Sequence, residues 1–258
     1  MTVDILANEI NKWIPFDEKR MLEIGCGNGD LLKFIAKYYS PAFITGIDPG
    51  LDSWWNTSEN LGENWKVMSG GAENLDFEDN SFDAVISIST FEHIDDLTKC
   101  LSETKRVLKP YGRFYISFMP IWTSIIGHHF VATEDNTWNE EHLALIPPWG
   151  HLYMSEIEMR EHLEFLNVDT NLKEQMLQFI YHSNIINRKP KSEIVKAVHK
   201  CGMAIRSYSE QLRFSRLAIP KQNELSAEIS KKIIAKGYEI SDIGVCGLKI
   251  CLEKLEAY

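Results

Sequence analysis

The chain has 258 residues, enough for one large α/β domain with insertions, and its 44% hydrophobic and 25% charged composition excludes a disordered, collagenous or long coiled-coil protein. With 37 acidic against 27 basic side chains the net charge is −10, the wrong sign for gathering phosphate backbones, so nucleic acid is not an expected partner. The five cysteines, Cys26, Cys100, Cys201, Cys246 and Cys251, are scattered without a C-x-x-C pair, and no window approaches 18 uninterrupted apolar residues, so neither structural zinc nor a membrane span is expected.

The opening MTVDILANEINKW carries Asp4 and Glu9 and lacks both a basic region and a long apolar run, which points away from a secretory leader and toward the cytoplasm. From residue 20 to 120, short apolar runs alternate with amphipathic stretches, the rhythm of βα units around a parallel sheet. RMLEIG (20–25) is the first strand, running into glycines, and GDLLKFIAKYY (29–39) is a helix with Leu31, Leu32, Ile35 and Ala36 on one face. FITGID (43–48), WKVMSGG (65–71) and FDAVISIST (82–90) are strands two to four. DDLTKCLSETKRVLKP (95–110) predicts a helix that stops at Pro110, followed by a fifth strand, GRFYISFMP (112–120).

Beyond Met119 the rhythm breaks. Residues 121–190 are rich in His, Trp and Pro, with helices predicted over 155–166 and 171–185, and they form an inserted cap in an expected division of 1–120 with 191–258 against 121–190. The β/α pattern then resumes with a helix over 191–202, capped by Gly202, a strand over 204–212, a helix over 224–238 and a last strand over 244–254.

The most informative segment is MLEIGCGNGD (21–30), a strand entering a glycine-rich turn and then a helix. Its G-x-G-x-G spacing, at Gly25, Gly27 and Gly29, differs from the G-x-G-x-x-G that cradles a pyrophosphate. Asp48 ends the second strand 23 positions after Gly25, where a carboxylate can accept both hydroxyls of an adenosine ribose. A ribose acid serves a dinucleotide or a nucleoside cofactor equally. What separates them is Glu23, two residues before the loop: a negative charge there disfavours a pyrophosphate and suits an ammonium or sulfonium group.

Together these residues resemble the class I S-adenosylmethionine-dependent methyltransferases, in particular the branch acting on small molecules. LEIGCGNGD is similar to that family's first motif, GIDPG to its second, SGGAENLDFEDNSFDAVISISTFEHI to its third and fourth, and VLKPYGRFYIS to its fifth-strand segment, an ordered match over roughly residues 20–120. Tyr111 departs from the pattern, standing where a glycine is usual. The resemblance implies a Rossmann-like, doubly wound sheet of seven strands, mostly parallel with an antiparallel last strand, plus the helical cap. It implies S-adenosylmethionine as cofactor and S-adenosylhomocysteine as product. Gly25 and Gly27 would approach the methionine part with Glu23 near its amino group. Asp48 would hold the ribose and Ala72 and Glu73 the adenine, while Ser89 or Thr90 would line the methionine side.

Methyl transfer from a sulfonium needs chiefly alignment, and for a hydroxyl acceptor a general base helps. His93 follows the fourth strand, and His128, His129 and His151 fall in the cap, so these four are the candidate bases. Trp122, Trp138, Trp149 and Tyr153 supply aromatic walls for a small acceptor. His128, His129, Glu140, Glu141, His142 and His151 match no metal-ligand spacing, and no metal is expected. Cys26, inside the loop, reads as a packing residue. The expected reaction is methylation of a small polar acceptor at oxygen, a sugar, sugar nucleotide or phosphorylated metabolite, by a monomer or homodimer with neither nucleic-acid nor membrane partner. The alternatives are N- or C-methylation, a nicotinamide oxidoreductase, or a non-catalytic nucleoside-cofactor module.

Overall fold

The computed structural model describes residues 2–51, 61–130, 140–212 and 226–256. Its seven-stranded sheet has the order β3-β2-β1-β4-β5-β7-β6. The strands are β1 (Arg20–Ile24), β2 (Phe43–Ile47), β3 (Trp65–Met68), β4 (Phe82–Ile88), β5 (Leu108–Phe118), β6 (Ala204–Gln211) and β7 (Gly247–Glu253). β1 to β5 run parallel and β7 pairs antiparallel with β5, as expected. The register sets Ile24 beside Ile47 on one side and Ser87 on the other, so the carboxyl ends of β1, β2 and β4 open at one sheet edge.

By Cα proximity the chain divides into two compact units, one of residues 1–118, 195–209 and 248–258, the other of residues 119–194 and 210–247. In the first, α1 (Val3–Asn11) and α2 (Asp30–Tyr38) bury Ala7, Ile10, Leu31, Leu32 and Ile35 against Met21, Ile44, Val67 and Ile86 of the sheet. The second has two apolar clusters. Trp122, Ile125, Ile126, Trp149, Leu152 and Ile233 form one. Phe130, Met159, Leu163, Met176, Leu177 and Ile180 form the other. Its helices are α4 (Glu140–Leu145), α5 (Gly150–Tyr153), α6 (Glu156–Phe165), α7 (Thr170–Leu177) and α9 (Ala227–Ala235), and α8 (Lys191–Lys200) spans the division. No helix of the described residues is long and apolar enough to cross a membrane.

Several expected boundaries move. The helix expected over 95–110 is α3 (Leu97–Val107), and β5 starts at Leu108, because Leu108 pairs with Phe82 before an irregularity realigns the strands. Pro110 therefore lies within the irregular start of β5 rather than ending a helix. Tyr111 adopts φ 63°, the left-handed region that favours glycine, with its hydroxyl exposed and donating to Glu256 at 2.9 Å. The helix expected over 171–185 ends at Leu177 and widens into a π turn over Gln178–His182. Sequence reading passed over α1, whose apolar Val3, Leu6, Ala7 and Ile10 carry helical spacing.

Candidate functional site

The glycine loop leaves β1 at Gly25, φ +74°, and a Cβ there would stand 2.1 Å from Thr90 Oγ1. Only glycine fits, because the Thr90 side chain fills the space a larger residue would need. Thr90 in turn donates its hydroxyl to the Ile88 carbonyl at 2.9 Å, and its Oγ1 lies 3.4 and 3.5 Å from the Ile24 and Gly25 carbonyls, which sets the end of β4 against the loop. The loop backbone is tied to β2 by Gly25 and Cys26, both donating to the Ile47 carbonyl at 2.8 and 3.0 Å. Asp48 completes the attachment: one carboxylate oxygen accepts from Gly27 N–H at 3.0 Å and the other from Gly50 N–H at 2.8 Å.

Glu23 lies under this loop, 3% exposed, and its Oε2 has no hydrogen-bond partner among the described residues. Burial pushes its carboxyl up to about 8, reinforced by Asp30 and Asp48 and opposed by a hydrogen bond from the Leu32 backbone. Beyond β3, Ala72 is buried and Glu73 accepts from Asp96 N–H at 3.3 Å. Arg106 pins the following turn, donating to the Leu75 and Phe77 carbonyls at 2.7 Å and to Glu103 and Asp79. Ser89 is exposed at φ 49°, its N–H donating to the Ser117 carbonyl at 2.8 Å. The structure thus brings Glu23, Gly25, Gly27, Asp48, Ser89 and Thr90 to the carboxyl ends of β1, β2 and β4, and Ala72 and Glu73 to the loop after β3.

The candidate bases separate into two settings. His93 is exposed, in the 3₁₀ turn Phe91–His93. His128, His129 and His151 belong to the second unit and are buried there. His129, at φ 54°, donates Nδ1–H to the Gly127 carbonyl at 2.7 Å. Burial drives His128 well below its usual range and lowers His151 to about 4, so both rings are neutral at pH 7. Among the described residues no three His, Cys, Asp or Glu side chains gather as a metal site; Trp138 and the side chains of Glu140 and Glu141 lie outside the described residues.

Sequence reasoning missed Glu92, buried in the turn after β4 with an unpartnered Oε2 and a carboxyl raised to about 8 by burial. Its flanks, Phe91 and Ile94, are both buried and were the available signal. It also missed Thr123 and Ser124, whose hydroxyls are buried without partners.

A family model described as a methyltransferase domain matches residues 22–116, the stretch from β1 through the glycine loop to β5. This segment is a methyltransferase domain. YrhH of Bacillus subtilis strain 168, named as a methyltransferase, is 37% identical over 105 residues, 39% of this chain and 58% of its own length. The ubiquinone biosynthesis O-methyltransferase of Bartonella tribocorum is 27% identical over 168 residues, 60% of each chain. The structure of Haemonchus contortus phosphoethanolamine N-methyltransferase 2 with S-adenosylmethionine aligns over 98% of this chain and 53% of that one. Its TM-score is 0.58 at 17% identity, a likeness of fold. The chain spans 35–58% of the length of the first curated relatives it matches.

Proposed function

We propose that the protein transfers a methyl group from S-adenosylmethionine to a hydroxyl of a small polar acceptor, with sugars and their nucleotide or phosphate derivatives the first class to screen. The observation that carries the cofactor half is the unpartnered, buried carboxylate oxygen of Glu23 beneath the glycine loop. Ionising a carboxyl group with one buried, unpartnered oxygen is costly, and an ammonium group brought by a ligand offsets that cost. The residues present therefore fit this cofactor better than a pyrophosphate.

Gly25 and Gly27 present bare backbone to the methionine moiety, and Thr90 keeps the loop in that shape. Asp48 uses one lone pair of each oxygen on the loop N–H groups and retains others for ribose hydroxyls. Ala72 and Glu73 flank the adenine, and Ser89 stands at the end of β4 on the methionine side. When bound, the cofactor supplies a methyl group already activated by a sulfonium charge. The protein's task is alignment, worth up to roughly 7–11 kcal/mol, and removal of a proton from the acceptor hydroxyl. The candidate bases for that removal are His93 of the first unit and His128, His129 and His151 of the second. The cytoplasm is the proposed setting.

Calorimetric titration with S-adenosylmethionine and with S-adenosylhomocysteine tests the cofactor half, with micromolar binding of both expected. Transfer of labelled methyl to a panel of hydroxyl, amine and carbon acceptors tests the rest. Absence of binding by either compound overturns the proposal; labelling of amines alone overturns its acceptor atom.

A further inference from the structure

The segment from Trp122 to His151 concentrates buried polar atoms without partners. Thr123 Oγ1, Ser124 Oγ, Trp149 Nε1, His128 Nε2 and His151 Nδ1 all lack a hydrogen bond among the described residues, and their residues are at most 5% exposed. Native interiors leave few such atoms unsatisfied, so five within one 30-residue stretch of a small apolar core require an explanation. Its described turns are tightly built. Gly127 turns so tightly that a Cβ would lie 1.9 Å from the Trp122 carbonyl, and Trp149 N–H donates to the Ile125 carbonyl at 3.3 Å. Trp122 donates its indole N–H to Tyr238 at 2.8 Å and packs edge-on to His151, ring centroids 4.8 Å apart.

The two imidazoles are fixed in tautomer by the backbone. His128 Nδ1 accepts from Phe130 N–H at 3.1 Å, so the proton of its neutral ring is on Nε2. His151 Nε2 lies 2.7 Å from the Trp122 carbonyl, which can only accept, so that nitrogen carries the proton and Nδ1 bears a free lone pair. The ring centroids stand 5.3 Å apart at 74°, so neighbouring rings carry one orphan donor and one orphan acceptor. Arg188 stacks over the Trp122 ring at 5.5 Å and donates to the Ile180 and Ser183 carbonyls.

We propose that Thr123, Ser124, His128, Trp149 and His151 form a binding site for an uncharged, hydroxyl-bearing molecule, His128 Nε2–H donating to the hydroxyl oxygen and His151 Nδ1 accepting its proton. A hydroxyl both donates and accepts, which matches the pair; a carboxylate only accepts and would face the His151 lone pair. The site lies within the second unit and goes beyond the cofactor reading of the first.

The test uses the full-length protein. Long-range ¹⁵N–¹H NMR correlations report the tautomers, with both rings protonated at Nε2 and neutral at pH 7. Saturation-transfer NMR then compares phenol, methyl glucoside and mannitol with glucose 6-phosphate and inorganic phosphate. At least one uncharged compound should bind, tenfold or more weakly in His128→Phe and His151→Phe, while neither phosphate competes. Trp149→Phe, which deletes the indole N–H and retains one aromatic ring, should weaken the same ligand, with its melting temperature measured alongside to separate a folding loss. Calorimetry with S-adenosylhomocysteine on each variant should give wild-type affinity. The inference fails if the tautomers differ, if phosphates bind as well as neutral compounds, or if no neutral compound binds and only the melting temperature moves, as for a cluster that holds structural water. Loss of S-adenosylhomocysteine binding in the wild type would instead refute the methyltransferase reading itself.

Discussion

Glu23 makes cofactor binding a proton-linked event. In the free protein its carboxyl is raised to about 8, so at pH 7 roughly nine-tenths of molecules carry it protonated. An ammonium group placed against Oε2 would ionise it, so binding should release about 0.9 proton at pH 7 and about one at pH 6. Affinity scales with the ionised fraction, about 0.09 at pH 7 and about 0.01 at pH 6, which predicts an approximately ninefold weaker complex at the lower pH. A free α-amino group titrates near 7.7–8.0, so below pH 7 the ligand's own amine stays charged and contributes little to the slope. Titrating with S-adenosylhomocysteine in two buffers of different ionisation enthalpy yields the proton count directly. Glu23→Gln should remove both proton release and pH dependence, so its affinity gap to wild type should narrow about tenfold from pH 7 to pH 6. Zero proton release with equal affinity at both pH values would refute the placement of Glu23 against the amino group.

Gly25→Ala forces a methyl onto Thr90 and strains a left-handed residue; thermal unfolding should show a loss of about 2–4 kcal/mol, and adding Thr90→Gly should restore at least about 1 kcal/mol of it. Additive losses in that cycle would mean the wedge is not the constraint. Glu92→Gln should stabilise the fold. A carboxyl with a raised folded pKa costs nothing below its unfolded pKa near 4.5, and the cost grows as pH rises toward about 8, reaching about 3 kcal/mol at pH 7. Denaturant titrations at pH 4.5 and 7 that show the same difference would contradict it. Asp48→Ala releases the Gly27 and Gly50 N–H groups along with any ribose contact, and S-adenosylhomocysteine affinity should fall by about 1–3 kcal/mol, roughly five- to 150-fold. Unchanged affinity by calorimetry would remove Asp48 from the cofactor site.

Much of the methyltransferase half was legible before any coordinates. Strand, glycine turn and helix follow one another within residues 20–39, and their signals are local: apolar runs, glycines at alternate positions, and a 3.6-residue apolar period. The position of Asp48 at a strand end is equally local, which is why its neighbourhood could be named from spacing. Less legible were the start of β5, where pairing of Leu108 with Phe82 overrode the helix-stopping reading of Pro110, and the short helices α4 and α5, too brief to show a period.

What the sequence by itself determined is the order of strands and helices, the glycine loop and the chemistry available at each position, because these depend on residues close together in the chain. Tertiary structure alone decided which polar atoms end with partners. Asp48 reaches the Gly27 N–H across 21 residues, while Glu23 finds nothing for Oε2. His151 spends one ring nitrogen on a carbonyl 29 residues away and leaves the other open. Burial and hydrogen bonding are properties of the packed interior, where water no longer satisfies every group equally, and no linear pattern records them.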